Sequence, residues 1–441
     1  MSRTLDLGSI STRLRRIAEK ARTVPGRALV SLHHYIDRYW LEEAHGRTRK
    51  DGAVGVDGQT AAEYEQELGE NLVSLLERFK SGRYRAPAVR RAWIPKGDGE
   101  KKRPIGIPTY EDKVLQRAVT MVLEAIYEQD FLDCSYGYRR GRSVHGALKS
   151  LWDQLMELHG GFVLEVDIQN FFEELDHGHL RAFLDRRVRD GVIRRAIDKW
   201  LKAGVMEEGQ LLRRTEGTPQ GGVISPLLAN IYLHYVVDEW FETEVRPRLR
   251  GRGFLVRYAD DVVIVVEQEE DSRRVLEALK KRIARFGLRV HPDKTRVVRF
   301  HRPPYRGKPP RERRPGSFDF GGFTHYWGRS RKGNWTVRVR TAKDRMRRVL
   351  KRCAQWCRKH RHEPVWWQSQ KLNQALRGHA AHYGVTTNSA SLGQLRYLVE
   401  RIWHQWLARR SQKGMSWARF KKVTSRCPLI RPRIVHQYAV E

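Results

Sequence analysis

Three aspartates in this chain have the surroundings that chemistry requires. Asp167 closes an apolar run, Phe162-Val163-Leu164-Glu165-Val166-Asp167, and Asp260-Asp261 interrupts a second one over 254–267. A carboxylate at the end of a buried strand costs free energy unless something binds it. Carboxylates on adjacent strands can hold two Mg2+ about 4 Å apart, which suits phosphoryl transfer. A lone Asp-Asp pair is most often a surface turn, so the pattern around the pair has to decide between the two readings.

That pattern predicts the elements that must carry the acids. Residues 161–168 read as a strand, and 254–267 as a hairpin broken at Tyr258-Ala259-Asp260-Asp261. Residues 10–80 read as helices interrupted near 52–58, with Leu68, Leu72, Leu75, Leu76 and Phe79 on one stripe. A short hairpin with basic flanks follows at 92–107, turning at Gly97-Asp98-Gly99. Helices are expected over 110–127 and 144–158, in a stretch running on to 204, over 225–245 and over 272–286. A Pro/Arg/Gly-rich loop at 303–315 and a short strand at 318–323 precede a mostly helical remainder. The predicted organisation is an N-terminal extension over 1–80, a central unit over 81–325 and a C-terminal unit over 326–441.

Composition narrows the partner. The 441 residues are 40% hydrophobic, enough for a sizeable core, and the formal net charge is +34. Residues 301–441 hold 33 basic and only 6 acidic residues, together with eight of the thirteen tryptophans. Cations bind phosphates and aromatic faces stack on unpaired bases, so the charge points to nucleic acid. Taken singly, each tryptophan is expected to be core. No apolar run is long enough to span a bilayer. The N-terminus lacks the apolar stretch of a secretory signal. Cys134, Cys353, Cys357 and Cys427 form no C-x-x-C, so neither a zinc ribbon nor a disulfide framework is expected, and Cys353 and Cys357 read as core. A cytoplasmic protein is expected, with no membrane partner.

Tyr258-Ala259-Asp260-Asp261 within its apolar hairpin resembles the signature of reverse transcriptases. Other blocks follow that family's order: Arg103-Pro104-Ile105-Gly106-Ile107-Pro108, Tyr136-Gly137-Tyr138-Arg139-Arg140-Gly141-Arg142-Ser143, Asp167-Ile168-Gln169-Asn170-Phe171-Phe172, His291-Pro292-Asp293-Lys294-Thr295 and Phe320-Gly321-Gly322-Phe323. In the second block the family more often has Phe and Pro where this chain has Tyr138 and Arg140. Gly217-Thr218-Pro219-Gln220-Gly221-Gly222-Val223-Ile224-Ser225-Pro226 resembles the form found in bacterial group II intron reverse transcriptases. Leu376-Arg377-Gly378-His379 and Leu407-Ala408-Arg409-Arg410-Ser411 resemble those proteins' maturase region. The resemblance implies an α+β right-hand polymerase, with an antiparallel palm sheet between helical fingers and a helical maturase/thumb domain.

The resemblance also implies roles. Asp167, Asp260, Asp261 and the carbonyl of Ile168 would hold two Mg2+, and Lys294 would donate a proton to pyrophosphate. Lys96 and Arg103 would pair with the triphosphate, Phe172 would lie under the sugar, and Gln220 would touch the nascent pair. Arg139, Arg142, Arg377, Arg409 and Arg410 would bind RNA. The expected partners are an RNA template, a structured intron RNA, a DNA primer or target, and dNTPs. The protein would stay in the bacterial cytoplasm and associate with the nucleoid when on DNA. The expected activity is RNA-directed DNA synthesis coupled to group II intron splicing and mobility. Two alternatives remain: a free-standing enzyme of this type in repair or phage defence, and an RNA-binding splicing factor without polymerase activity. Many relatives continue into a DNA-binding segment and an endonuclease; with neither here, an endonuclease-less form is expected.

Overall fold

The computed structural model describes residues 5–96, 101–207, 210–212, 221–304 and 314–437. Four helices open it: α1 (Leu5–Thr23), α2 (Arg38–Arg47), α3 (Ala61–Gln66) and α4 (Leu68–Lys80). Thr60 and Glu63 close a reciprocal capping box at the start of α3, which satisfies backbone N–H groups the helix cannot bond itself. The apolar stripe of α4 buries Leu72, Leu75 and Phe79. Strands β1 (Val89–Lys96) and β2 (Lys101–Ile107) form the expected antiparallel hairpin.

Helix α5 (Tyr110–Tyr127) spans the predicted range and α6 (Val144–Glu157) ends one residue short of it; Thr109 and Ser143 cap them. Under the first hairpin lies a buried polar knot. The carboxyl of Asp112 accepts hydrogen bonds from Tyr84, from Trp200 Nε1 at 2.9 Å and from Gln116 Nε2 at 3.4 Å. Burial pushes its pKa up to about 7 despite the bonds from Trp200 and Gln116.

The acids sit on a central sheet. Strand β3 (Phe162–Gln169) leads to three helices where one continuous stretch was expected: α7 (Phe171–Glu174), α8 (His177–Asp185) and α9 (Gly191–Lys202). Strands β4 (Val205–Glu207) and β5 (Gln210–Leu212) extend the first sheet in the order β2-β1-β4-β5. Helix α10 (Ser225–Leu233) continues through wide π-helical turns at His234–Asp238 and Phe241–Val245. Strands β6 (Gly253–Tyr258) and β7 (Asp261–Val266) form the hairpin, helix α11 (Glu269–Arg285) follows, and β8 (Arg289–Val290) and β9 (Arg296–Arg299) return to β3. The sheet runs β6-β7-β3-β8, with β9 also pairing β3, and every pairing in it is antiparallel.

Strand alternation sorts β3 between two cores. Leu164, Val166 and Ile168 enter the core shared with α5, α8, α10 and α11. Val163 enters a second core built from α6, Val263 and Val265 of β7, and the three-stranded sheet β10 (Phe318–Phe320), β11 (Phe323–Arg329), β12 (Trp335–Thr341). Glu165 and Asp167 have the parity of Val163, and Asp261 that of Val263 and Val265, so the acids share this second face.

Helices α12 (Lys343–Lys359), α13 (Val365–Tyr383), α14 (Ser389–Ala408) and α15 (Trp417–Thr424) form a bundle with its own core. Cys353 and Cys357 lie in it as expected, both buried. Trp403 is buried with Nε1 on Gln368 Oε1 at 2.8 Å, whereas Trp366 is 63% exposed and Trp417 43%, so the tryptophans divide between core and surface. The expected boundary at 325/326 falls inside β11. β10–β12 pack on the second core, and most of α12–α15 packs on the separate one, although Val385 returns to the second core. Among the described residues no helix is long and apolar enough to cross a membrane.

Candidate active site

Register brings the three aspartates to one place. Asp167 on β3 lies directly opposite Asp261 on β7, and Tyr258 opposite Asp261 across the hairpin. Ala259 and Asp260 therefore form a two-residue turn, and Asp260 is exposed at its tip. Ala259 has φ +57°. That conformation at the first turn position normally calls for glycine, and a side chain strains it.

Each of the two facing carboxylates has a hydrogen-bond donor. Lys294 Nζ lies 2.8 Å from Asp167 Oδ2. The Asp167 carbonyl accepts from the amide of His291 at 2.8 Å, so the 291–295 turn is fastened to the end of β3. The amide of Gly321 donates to Asp261 Oδ2 at 3.0 Å. Gly321 lies in the Phe320–Phe323 turn, where both glycines have positive φ. Its carbonyl faces Nε2 of His382 on α13 at 3.4 Å, and the His382 carbonyl faces Nε2 of His145 on α6 at 2.8 Å. The Asp261 residue is half-buried, but the protein packed around its carboxyl pushes the pKa up to about 7. The Gly321 bond opposes that rise, and repulsion from Asp260, Glu165 and Asp167 adds to it.

Three carboxylates are hard oxygen donors of the kind Mg2+ takes. Among the described residues no three His, Cys, Asp or Glu side chains converge into a ready-made cage. Lys294 and the Gly321 amide each hold one of the acids, and a bound cation would compete with both.

The remaining expected residues divide. Phe171 is buried at 3% exposure and Phe172 is half-buried beside it, with ring centroids 5.3 Å apart. Ile168 is buried one residue beyond Asp167. Arg103 is exposed on β2. Tyr138 is 54% exposed; burial of its hydroxyl and the charge of Asp260 raise its pKa, and the Arg103 cation opposes the rise. Gln220 and the side chain of Lys96 lie outside the described residues.

Arg377 and Arg409 are exposed, Arg409 lying 4.9 Å over the Trp406 ring. Arg142 pairs with exposed Asp133 at 2.5 Å. Two arginines depart from the expectation. Arg139 is 7% exposed and its guanidinium is occupied by Glu128 and the carbonyls of Phe131, Leu132 and Ser135. Arg410 is half-buried on the carbonyls of Arg361 and Glu363. Both serve the fold, because their donors are already committed to backbone.

Sequence reasoning missed Arg257. It stands in the apolar run Phe254-Leu255-Val256-Arg257, and the logic that singled out the acids applies equally to a cation there. It also missed the Gly321 amide, which no side-chain pattern could reveal.

An antiparallel sheet carrying facing aspartates beside a third in a hairpin turn is the arrangement of a polymerase palm. The chain matches the family described as reverse transcriptase (RNA-dependent DNA polymerase) over residues 94–325, more than half its length, and belongs to that family. It is 35% identical to Protein YkfC of Escherichia coli (strain K12), over 65% of this chain and 84% of that protein. It is 32% identical to the group II intron-encoded protein LtrA of Lactococcus lactis subsp. cremoris, over 61% of this chain and 46% of that protein. An uncharacterized 91 kDa protein in the cob intron of Schizosaccharomyces pombe is 38% identical over 38% of this chain and 20% of its own length. The chain is thus a group II intron-like reverse transcriptase, and it spans less than half of the latter two relatives.

Proposed function

We propose that the protein copies RNA into DNA by extending a primer with dNTPs, and that it binds a structured group II intron RNA and assists its splicing and mobility. The observation that carries the first part is the direct pairing of Asp167 with Asp261 beside the exposed Asp260, inside the family match. In this reading the central sheet is the palm, α5 with the first hairpin belongs to the fingers, α1–α4 form the N-terminal extension, and α12–α15 form the thumb.

Asp167, Asp260, Asp261 and the Ile168 carbonyl would hold two Mg2+, which when bound lower the pKa of the primer hydroxyl and stabilise charge on the transferring phosphate. Lys294 is anchored on Asp167 by an ion pair and carries a proton that it can give to departing pyrophosphate. Arg103 and Lys96 offer cations to the triphosphate from the fingers hairpin, and Gln220 touches the nascent pair. Phe172 lies with its ring under the sugar, while Phe171 anchors it in the core. Arg142, Arg377 and Arg409 are the arginines left to meet RNA.

The second part is supported by the likeness to an intron-encoded protein and by the 33 basic against 6 acidic residues of 301–441. Purified protein with Mg2+, dNTPs and a primed RNA template should extend the primer. Asp260→Ala should abolish extension yet melt as wild type does, since exposed substitutions usually stay within about 0.5 kcal/mol. Normal extension by Asp260→Ala would refute the metal assignment. Splicing of a group II intron RNA at low Mg2+, with and without the protein, tests the maturase reading.

A further inference from the structure

We propose that Arg257 is a positioning residue for the catalytic turn: its buried guanidinium holds the Ala259 carbonyl, and through it Asp260 and Asp261, in the strained conformation the site requires. The role rests on the polymerase reading above, and nothing in the family match assigns it.

Arg257 has 0% exposed surface. A guanidinium has five N–H donors, and all five are used. Nε donates to Asp238 Oδ1 at 2.7 Å. One terminal nitrogen donates to Asn230 Oδ1 and to the Ala259 carbonyl, both at 3.0 Å. The other donates to Asp238 Oδ2 at 2.5 Å and Ser135 Oγ at 2.7 Å. The backbone of Arg257 bonds the Cys134 carbonyl at 2.7 Å and the Tyr136 amide at 2.9 Å. One residue therefore joins the 134–138 loop, the α10 helix and the hairpin tip.

Two further features fit this purpose. Asn230 and Asp238 are eight residues apart, and a regular α-helix would turn them about 80° away from each other. The π-helical turn over His234–Asp238 winds more slowly and brings both to the same guanidinium. On the other side of the turn, Gly137 presses on Ala259: a Cβ there would meet the Ala259 nitrogen at 2.3 Å. Asn230 Nδ2 holds the Gly137 carbonyl at 2.6 Å. A left-handed alanine persists where its surroundings over-determine it, and here Arg257 and Gly137 confine it from two sides. Buried ion pairs add little net stability; placing a strained turn gives this one a use.

The test is Arg257→Lys, which keeps a cation beside Asp238 but cannot reach all five acceptors. Hydrogen exchange of the peptide spanning residues 258–262 should quicken at least tenfold while the peptide spanning residues 162–168 keeps its wild-type rate. In primer extension kcat should fall at least tenfold with the dNTP KM changed less than threefold, and adding Ala259→Gly, which removes the strain, should restore part of kcat. Exchange that quickens equally in both peptides, or a kcat that glycine does not rescue, would reduce Arg257 to ordinary core and overturn the proposal. If Arg257→Lys does not fold, Ser135→Ala removes one acceptor alone; it should still quicken exchange in 258–262, and an unchanged rate would overturn the proposal. If the wild type extends no primer, the polymerase reading fails, while the exchange measurement still judges the clamp.

Discussion

Asp167 and Asp261 face each other as a cross-strand pair, with Asp261 also opposite Tyr258 across the hairpin. Residues paired this way have Cα atoms about 4.5–5.5 Å apart, close enough for two carboxylates to repel. The raised pKa of Asp261 records part of that repulsion. The Lys294 ammonium already offsets part of that charge at Asp167, and a divalent cation would offset more.

Added Mg2+ should therefore stabilise the protein. Binding at a hundred times the Kd is worth about 2.7 kcal/mol, so the melting temperature should rise by several degrees between EDTA and saturating Mg2+ at pH 8. Asp261→Asn should lose most of that rise. An equal Mg2+ shift in both proteins would place the ion elsewhere.

A pH effect should arise at Asp112, away from the three aspartates. Its pKa stands at about 7 in the folded chain, above its ordinary value. The folded state then holds a proton that the unfolded state has lost, so this group's contribution to stability falls as pH rises from about 4 to about 7 and is constant above. Asp112→Asn does not titrate, and the loss it avoids grows by up to about 1.4 kcal/mol per pH unit. Relative to wild type, the variant's melting temperature should climb from pH 5 to 7 and level off beyond. A constant difference from pH 5 to 8 would show that Asp112 is charged throughout.

Sugar choice should depend on Phe172. Leaving a 2′-hydroxyl unpaired against a ring costs about 1–3 kcal/mol. Phe172→Val should accordingly raise relative rNTP use about tenfold, since about 1.4 kcal/mol is one decade. Phe171→Val should lower stability and leave the ratio alone, because that ring is buried. Single-nucleotide incorporation with dNTP and rNTP measures both.

The arginines should separate in a salt titration. On single-stranded RNA each phosphate contact contributes about 0.7 to the slope of log affinity against log salt. Arg377→Ala and Arg409→Ala should each reduce the slope by about that amount. Arg139→Ala and Arg410→Ala should lower the melting temperature with the slope unchanged. The opposite pattern would return the buried pair to the RNA.

Much of this was legible because strands announce themselves by alternation and the acids stand against it. The β6–β7 hairpin and β3 follow directly from apolar runs broken by aspartate. The expectation failed where identity of side chain does not determine environment. Arg139 and Arg377 are the same residue type in the same kind of basic block, and only tertiary packing commits one to carbonyls and leaves the other exposed. The break of 225–245 into π-helical turns was likewise hidden, since no proline or glycine marks it; it follows from a partner on another strand. The boundary expected at 325/326 cuts through β11 because 318–323 reads as one short strand, whereas the chain turns at Gly321-Gly322 and runs on as a local meander, β10-β11-β12.

Gly321 has one further consequence, for swapping parts between relatives. Its amide serves Asp261 and its carbonyl meets a histidine of the C-terminal bundle, so one small residue belongs to sheet and bundle at once, in a seam that Thr387 and Asn388 also stitch to β12. A chimera that joins this chain's central sheet to another bundle at the β12–α12 junction would take Val385 out of the second core and mismatch this seat together with the Thr387 and Asn388 bonds to β12. The better seam lies upstream of Phe318, so that hairpin and bundle travel together and the donor's own glycine meets the recipient's aspartate.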